Sequence, residues 1–183
     1  KCYDTTSRRF NRNSAGWGYT SGKAYGSMTS AAATTMAICG HYLGKNTGKD
    51  PWIRAGRKWV ALNFKVNSHP GSSNWLGYYL YSLERLGRIS GQEFFGDHEW
   101  YPLGARYLVG AQAEDGSWDL KDSRRPVCST SFALLFLTRA TPALVEELKR
   151  GGNGTLETEA VFPGQYFHII LDASGSMMAR MNG

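Results

Sequence analysis

Three apolar segments recur about 50 residues apart, and this spacing constrains the fold more than any other feature of the chain. The first runs from Ser27 to Cys39, is rich in alanine and stops at Gly40. The second runs from Trp75 to Leu86 and stops at Gly87, and the third runs from Cys128 to Arg139 and ends at Ala140. In the second, Leu76, Tyr79, Leu80, Leu83 and Leu86 recur at the i, i+3, i+4, i+7 spacing that lines one face of a helix. In the third, Phe132, Leu135 and Phe136 share a face in the same way. A helix with one apolar stripe must bury it against a neighbour, so similar helices at a fixed period predict stacked helical hairpins.

The hairpin partners lie in the intervals. Asp50-Pro51 is a strong helix start, because Asp can accept from the first free backbone N–H groups and Pro has no N–H to satisfy. Ile53, Trp59, Leu62 and Phe64 are expected to face inward from the helix that follows. Trp100, Leu103, Tyr107, Leu108 and Ala111 form another stripe, and Asp97-His98-Glu99 before it reads as a polar cap. The predicted pairing is 27–43 with 51–66, then 75–87 with 99–113 through facing apolar stripes, then 128–140. No strand is expected within 75–113. Thr141-Pro142 opens a short further helix to about Lys149.

With 183 residues and 42% hydrophobic content the chain can bury a sizeable core. Its net charge of +6 is spread over scattered cations, among them Arg8, Arg9, Arg54, Arg57, Lys58, Arg124, Arg125, Lys149 and Arg150. Nucleic-acid binding calls for a basic stripe beside exposed aromatics, so no nucleic-acid partner is expected. No run approaches the ~18 consecutive apolar residues of a membrane span. Cys2, Cys39 and Cys128 are odd in number and far apart, which gives no disulfide framework; Cys39 and Cys128 are expected to serve as small hydrophobes. The compartment is left unknown; an extracytoplasmic or cell-envelope location is compatible with the sequence.

Tyr107-Leu108-Val109-Gly110-Ala111-Gln112 is followed by Asp115-Gly116-Ser117-Trp118. An aromatic and an aliphatic residue, then Gln, then Gly-x-Trp, make a QW motif: Asp115-Gly116 turns the chain, Trp118 folds back into the core, and Gln112 is expected to cap a neighbouring helix end and stack on the indole. Gly16-Trp17-Gly18-Tyr19 looks like a worn copy of the same turn. On these residues and the helical period, about residues 10–145 resemble the squalene cyclase and prenyltransferase superfamily, and more closely bacterial toroid proteins carrying squalene-cyclase-like repeats. The resemblance implies an α/α toroid of concentric helices whose inner faces line a cavity. Tyr78, Tyr79 and Tyr81 are the candidates to meet a ligand there.

The chemistry of that superfamily is not carried over. Protonating an alkene needs an acidic Asp-x-Asp-Asp cluster, and Asp115, Asp119 and Asp122 have the wrong spacing and occupy a turn. Zinc-dependent prenyl transfer needs Asp, Cys and His around the metal, but Cys128-Ser129-Thr130-Ser131-Phe132 carries no His where such enzymes have one. Gly-Cys-Gly-Glu-Gln, the thioester sequence, is absent as well. His41 at a helix end and His69 before Pro70 read as structural. The expected catalytic set is none.

After Gly151-Gly152-Asn153-Gly154-Thr155 the helical pattern stops. Tyr166 to Leu171 is a short apolar, β-prone run suited to a strand buried on both faces of a parallel sheet. Asp172-Ala173-Ser174-Gly175-Ser176 follows at its carboxyl end, where ligands bind in open α/β sheets. One carboxylate and two hydroxyls on a tight turn suit Mg²⁺, a hard cation that takes oxygen ligands. The string Ile170 to Met177 resembles the metal-ion-dependent adhesion site of a von Willebrand factor A domain. That resemblance implies direct ligation by Ser174 and Ser176, ligation through water by Asp172, and further ligands from later loops of a domain cut before completion.

The expected organisation is therefore mainly α: a partial α/α toroid at 1–150, a Gly-rich linker at 151–164 and the start of a von Willebrand A domain at 165–183. The expected function is a non-enzymatic binding or scaffolding protein that engages a protein partner through the A domain and Mg²⁺. The alternative is a terpene cyclase-type enzyme whose acidic cluster lies outside the chain.

Overall fold

The computed structural model describes residues 2–3, 14–19, 23–122 and 126–140. The chain divides into two compact units, Lys1–Gly151 and Gly152–Gly183, and the second lies outside the described residues. So do the Gly-rich linker, the segment Tyr166–Leu171, the loop residues Asp172, Ser174 and Ser176, and the short helix expected after Thr141.

The described part is mainly helical. Five α-helices follow one another: α1 (Gly26–Tyr42), α2 (Pro51–Leu62), α3 (Leu76–Ser90), α4 (Trp100–Gly110) and α5 (Pro126–Leu137). Two minimal antiparallel pairs accompany them, β1 (Cys2–Tyr3) with β2 (Gly16–Trp17) and β3 (Phe94–Phe95) with β4 (His98–Glu99). α1 packs broadly on α3 and α3 on α5, while α2 lies on α1, and α4 touches both α3 and α5. One core joins them through Trp59, Leu80, Leu83, Trp100, Trp118 and Phe136. No helix of the described residues is long and apolar enough to cross a membrane.

The expected stripes are largely the buried ones. Leu76, Tyr79, Leu80, Leu83 and Leu86 are all buried, as are Ile53, Trp59, Trp100, Leu108 and Phe136. Asp50 caps α2 as its chemistry requires, its carboxylate accepting from Trp52 N at 2.8 Å and Ile53 N at 3.1 Å.

Other expectations are corrected. α1 runs through Gly40 to Tyr42 and α3 runs through Gly87 to Ser90. Gly87 is a packing position rather than a stop: a Cβ there would lie 2.5 Å from the Trp100 indole, so α3 and α4 meet this closely only with glycine. The chain turns out of α3 at Gly91, which has φ +61°. α2 ends at Leu62, whose side chain is exposed, while Phe64 is half-buried and stacks on His98 at 4.6 Å. Leu103 is exposed too, because α4 is shared between α3 and α5 and does not simply face α3. The β3–β4 hairpin falls inside 75–113, where no strand was expected and where a strand counts against the toroid expectation; each strand is two residues long, and Trp118, the other mark of that expectation, is buried. Glu99 precedes α4 but makes no side-chain cap. Cys39 is exposed near the end of α1, and Cys128 is partly exposed.

Candidate functional site

The organisation of the site begins at the amino ends of α1 and α3, where helical N–H groups need acceptors from elsewhere. Neither helix has a side-chain cap of its own. At α1, Gly26 N donates to Pro70 O at 2.8 Å and Ser27 N donates to His69 Nε2 at 3.0 Å. At α3, Trp75 N donates to Lys121 O and Leu76 N donates to Leu120 O. The next two amides, Gly77 N at 3.1 Å and Tyr78 N at 2.7 Å, donate to the two carboxylate oxygens of Asp122. The segment leading into α3 thus caps α1, and the segment leading toward α5 caps α3.

The same relation recurs on the Trp turns. Trp17 N donates to Thr29 Oγ1 at 3.0 Å, and Trp118 N donates to Thr130 Oγ1 at 3.1 Å, each across twelve residues. Leu120 N adds a bond to Ser129 Oγ at 3.0 Å. The indole of Trp118 is buried and donates through Nε1 to Leu108 O at 2.7 Å, satisfying a carbonyl near the end of α4. Gln112 does not cap a neighbouring helix. Its side chain is exposed and donates to Gly116 O at 2.9 Å, bracing the turn that delivers Trp118.

Two titratable groups are spent on these caps. Asp122 is fully buried and also accepts from Ser129 Oγ at 2.9 Å. Burial pushes its carboxyl above the usual range, against the lowering effect of its bonds from Tyr78, Ser129 and Gly77. His69 is buried, stacks on Tyr79 at 5.1 Å and meets Tyr25 edge-on at 5.6 Å. Its Nδ1 lies 2.6 Å from Asn74 O and must donate, while Nε2 must accept from Ser27 N, so the ring is the neutral Nδ1–H tautomer. Burial holds its pKa below the ordinary value, opposed by the bond to Asn74.

The candidate ligand tyrosines separate into two groups. Tyr78 and Tyr81, one turn apart on α3, meet Phe132 of α5 at 5.5 and 5.8 Å. Arg85, one turn further, donates from Nη1 to Tyr81 Oη at 3.1 Å. Burial raises the Tyr78 pKa, so its phenol stays neutral at physiological pH. Tyr79 is buried on another side of α3, against His69, and Tyr81 is buried as well. The three aspartates do not converge. Asp115 is exposed and accepts from Ser117 N and Oγ, which hold its carboxyl low, and Asp119 accepts from Lys121 N. His41 is partly exposed at the carboxyl end of α1, against Tyr42.

No family model, curated protein or solved structure matches this chain. The site is therefore characterised by its own geometry. Among the described residues no three His, Cys, Asp or Glu side chains gather so as to hold a metal ion. Tyr81 is itself buried and Tyr78 and Phe132 are only partly exposed, so these rings, with Arg85 at their edge, form a packed contact between α3 and α5 that leaves only the rims of Tyr78 and Phe132 accessible. Two buried carboxylates lie near it: Asp122 of the Trp-turn segment, which is occupied by three hydrogen bonds, and Glu84, three residues beyond Tyr81 on α3.

Proposed function

We propose that the chain is part of a non-enzymatic binding or scaffolding protein, in which an α/α toroid is coupled to a metal-dependent adhesion domain of the von Willebrand A type. The observation that carries the non-enzymatic half is the employment of His69 and Asp122, two buried titratable groups, as caps on helix ends. A general acid must give up its proton to substrate, whereas these two are held in fixed states by backbone amides. The succession of α1 on α3 and α3 on α5, with remote caps repeated from one helix to the next, supports the toroid part of the reading. A ligand on the α3–α5 face would meet the partly exposed rims of Tyr78 and Phe132.

The adhesion half rests on the string Asp172-Ala173-Ser174-Gly175-Ser176. Mg²⁺ held there by Ser174 and Ser176, with Asp172 acting through water, would supply an open coordination position for an acidic group of a protein partner.

Incubation of the chain with squalene-like polyenes or prenyl donors should give no turnover. Turnover that survives repurification and is abolished by replacing Asp115, Asp119 or Asp122 with Asn, in variants that keep the wild-type circular dichroism, would overturn the non-enzymatic reading.

A further inference from the structure

α2 carries a second candidate site on its outward face. Arg54, Arg57, Lys58 and Ala61 fall at i, i+3, i+4 and i+7, opposite the buried Ile53, Gly56 and Val60. The β3–β4 hairpin closes over this face, Gly96 adopting φ +63° above Ala61, and leaves a cleft of about 510 Å³. Its lining includes the three cations, Gln92, Phe94 and Gly96, and no acidic residue. That volume is within the usual range of small-ligand sites, ~300–1,000 Å³.

The cleft is built rather than incidental. Gln92 is pinned at both backbone ends, its N–H on Gly87 O and its carbonyl accepting from Trp100 Nε1 at 2.7 Å. Its side-chain oxygen in turn accepts from Arg57 Nη2, so the half-buried guanidinium is fixed in direction. Among the described residues Arg57 has no carboxylate partner, and neither does Arg54 or Lys58. Burial chiefly, and the neighbouring Arg54 charge in addition, lower the Arg57 pKa. Phe95 is buried and anchors the hairpin, whereas Phe94 stands half-exposed at the mouth.

We propose that this cleft binds a phosphomonoester, with Arg54, Arg57 and Lys58 on the phosphate and Phe94 against the group that carries it. Two guanidiniums present planar donor forks that match phosphate oxygens, and a phosphomonoester brings a charge of about −1.5 to −2, which offsets more of the three positive charges than a single carboxylate does. The same chemistry is found in a soluble aryl phosphate and in a lipid phosphomonoester headgroup. This inference is independent of the toroid and adhesion proposals, since it uses neither the α3–α5 aromatic face nor the metal loop.

The test is binding of the 183-residue chain to phenyl phosphate by calorimetry, and to neutral vesicles with and without phosphatidic acid by co-sedimentation. Sodium chloride of equal ionic strength is the control in each arm. Saturable binding is expected in at least one arm, and the arm that responds identifies the source of the phosphate. Arg54→Gln and Lys58→Gln, both at exposed positions, should each weaken it about tenfold, the loss of one charge-assisted contact, with unchanged circular dichroism. Arg54→Gln should also leave the unliganded melting temperature unchanged or raised, because it removes repulsion on Arg57. Absence of saturable binding in both arms, an equal effect of chloride, or undiminished binding by the folded Arg54→Gln/Lys58→Gln double variant would overturn the proposal.

Discussion

Asp122 satisfies three donors at once, two backbone amides of α3 and the Ser129 hydroxyl. Asp122→Ala should therefore destabilise by about 3 kcal/mol, since buried donors left without acceptors cost about 1–3 kcal/mol each and partial relaxation recovers some of it. Urea unfolding monitored by circular dichroism measures this, and a loss near zero would mean that water replaces the carboxylate. His69 gives a pH signature. Its folded pKa lies below the unfolded value of 6.5, so its contribution is present above that pH and is lost as pH falls toward the folded pKa. Asp122 has the opposite sign, its contribution being present below 3.8 and lost as pH rises through its raised folded pKa. The Asp122 contribution is common to wild type and His69→Gln, so the His69 contribution is read from their difference: between about pH 7.5 and about pH 5.5 the urea midpoint of wild type should fall relative to that of His69→Gln. Parallel losses in the two proteins would refute the cap assigned to His69. Sequence alone marked His69 as structural and Asp122 as part of a turn, but the bonds join residues 42 to 45 positions apart, and no local pattern reports such pairs. The signal that could have found them is positional: each stands just ahead of a repeat helix. The tyrosines were more legible than they were read, because Tyr78 and Tyr81 are one turn apart while Tyr79 is rotated about 100° from Tyr78 on the helix.

Among the elements, the two Trp turns are the best evidence that the helical units repeat. Thr29→Val and Thr130→Val each remove the acceptor of a Trp backbone amide at the same spacing. Both should cost about 1–3 kcal/mol in urea unfolding, and similar costs at the two sites would reflect their shared geometry. A cost at Thr130 with none at Thr29 would make the Gly16–Tyr19 turn a chance likeness. Gly87→Ala tests the close approach of α3 and α4, where the new methyl meets a rigid indole; a loss of about 1–3 kcal/mol in the same assay is expected. A stabilising Gly87→Ala, as helix propensity alone would give, would contradict that packing. Apolar periodicity placed α3, α4 and α5, because burial of Leu80, Leu83, Trp100 and Phe136 is what selects their register, whereas α1 was read from its alanine content and α2 from its Asp50-Pro51 start. Their ends were read less well. Glycine was taken as punctuation at Gly40 and Gly87, although glycine inside a helix also serves where another side chain must come close. Asp50 was legible because its cap is local, within three residues of the donors.

Across the described residues, α1 and α3 are each followed by a partner helix and closed at the amino end by a later segment of the chain. Such a unit depends on its neighbours for both its apolar stripe and its first N–H groups, so stability is shared along the chain. The basic cleft on α2 shows a different limit of sequence: Arg54, Arg57 and Lys58 read as three of many scattered cations until the hairpin of residues 94–99 is folded over them. The metal-dependent adhesion reading is the central claim, and calorimetric titration of Mg²⁺ tests it most directly. Mg²⁺ parts reluctantly with its water, and Asp172, Ser174 and Ser176 alone are too few protein oxygens to hold it strongly. The 183-residue chain should therefore give weak or undetectable heats, while a chain continued through a complete A domain should bind saturably and lose that binding on Asp172→Ala. A continued chain that binds no Mg²⁺, or binds it equally well with Asp172→Ala, would contradict the account.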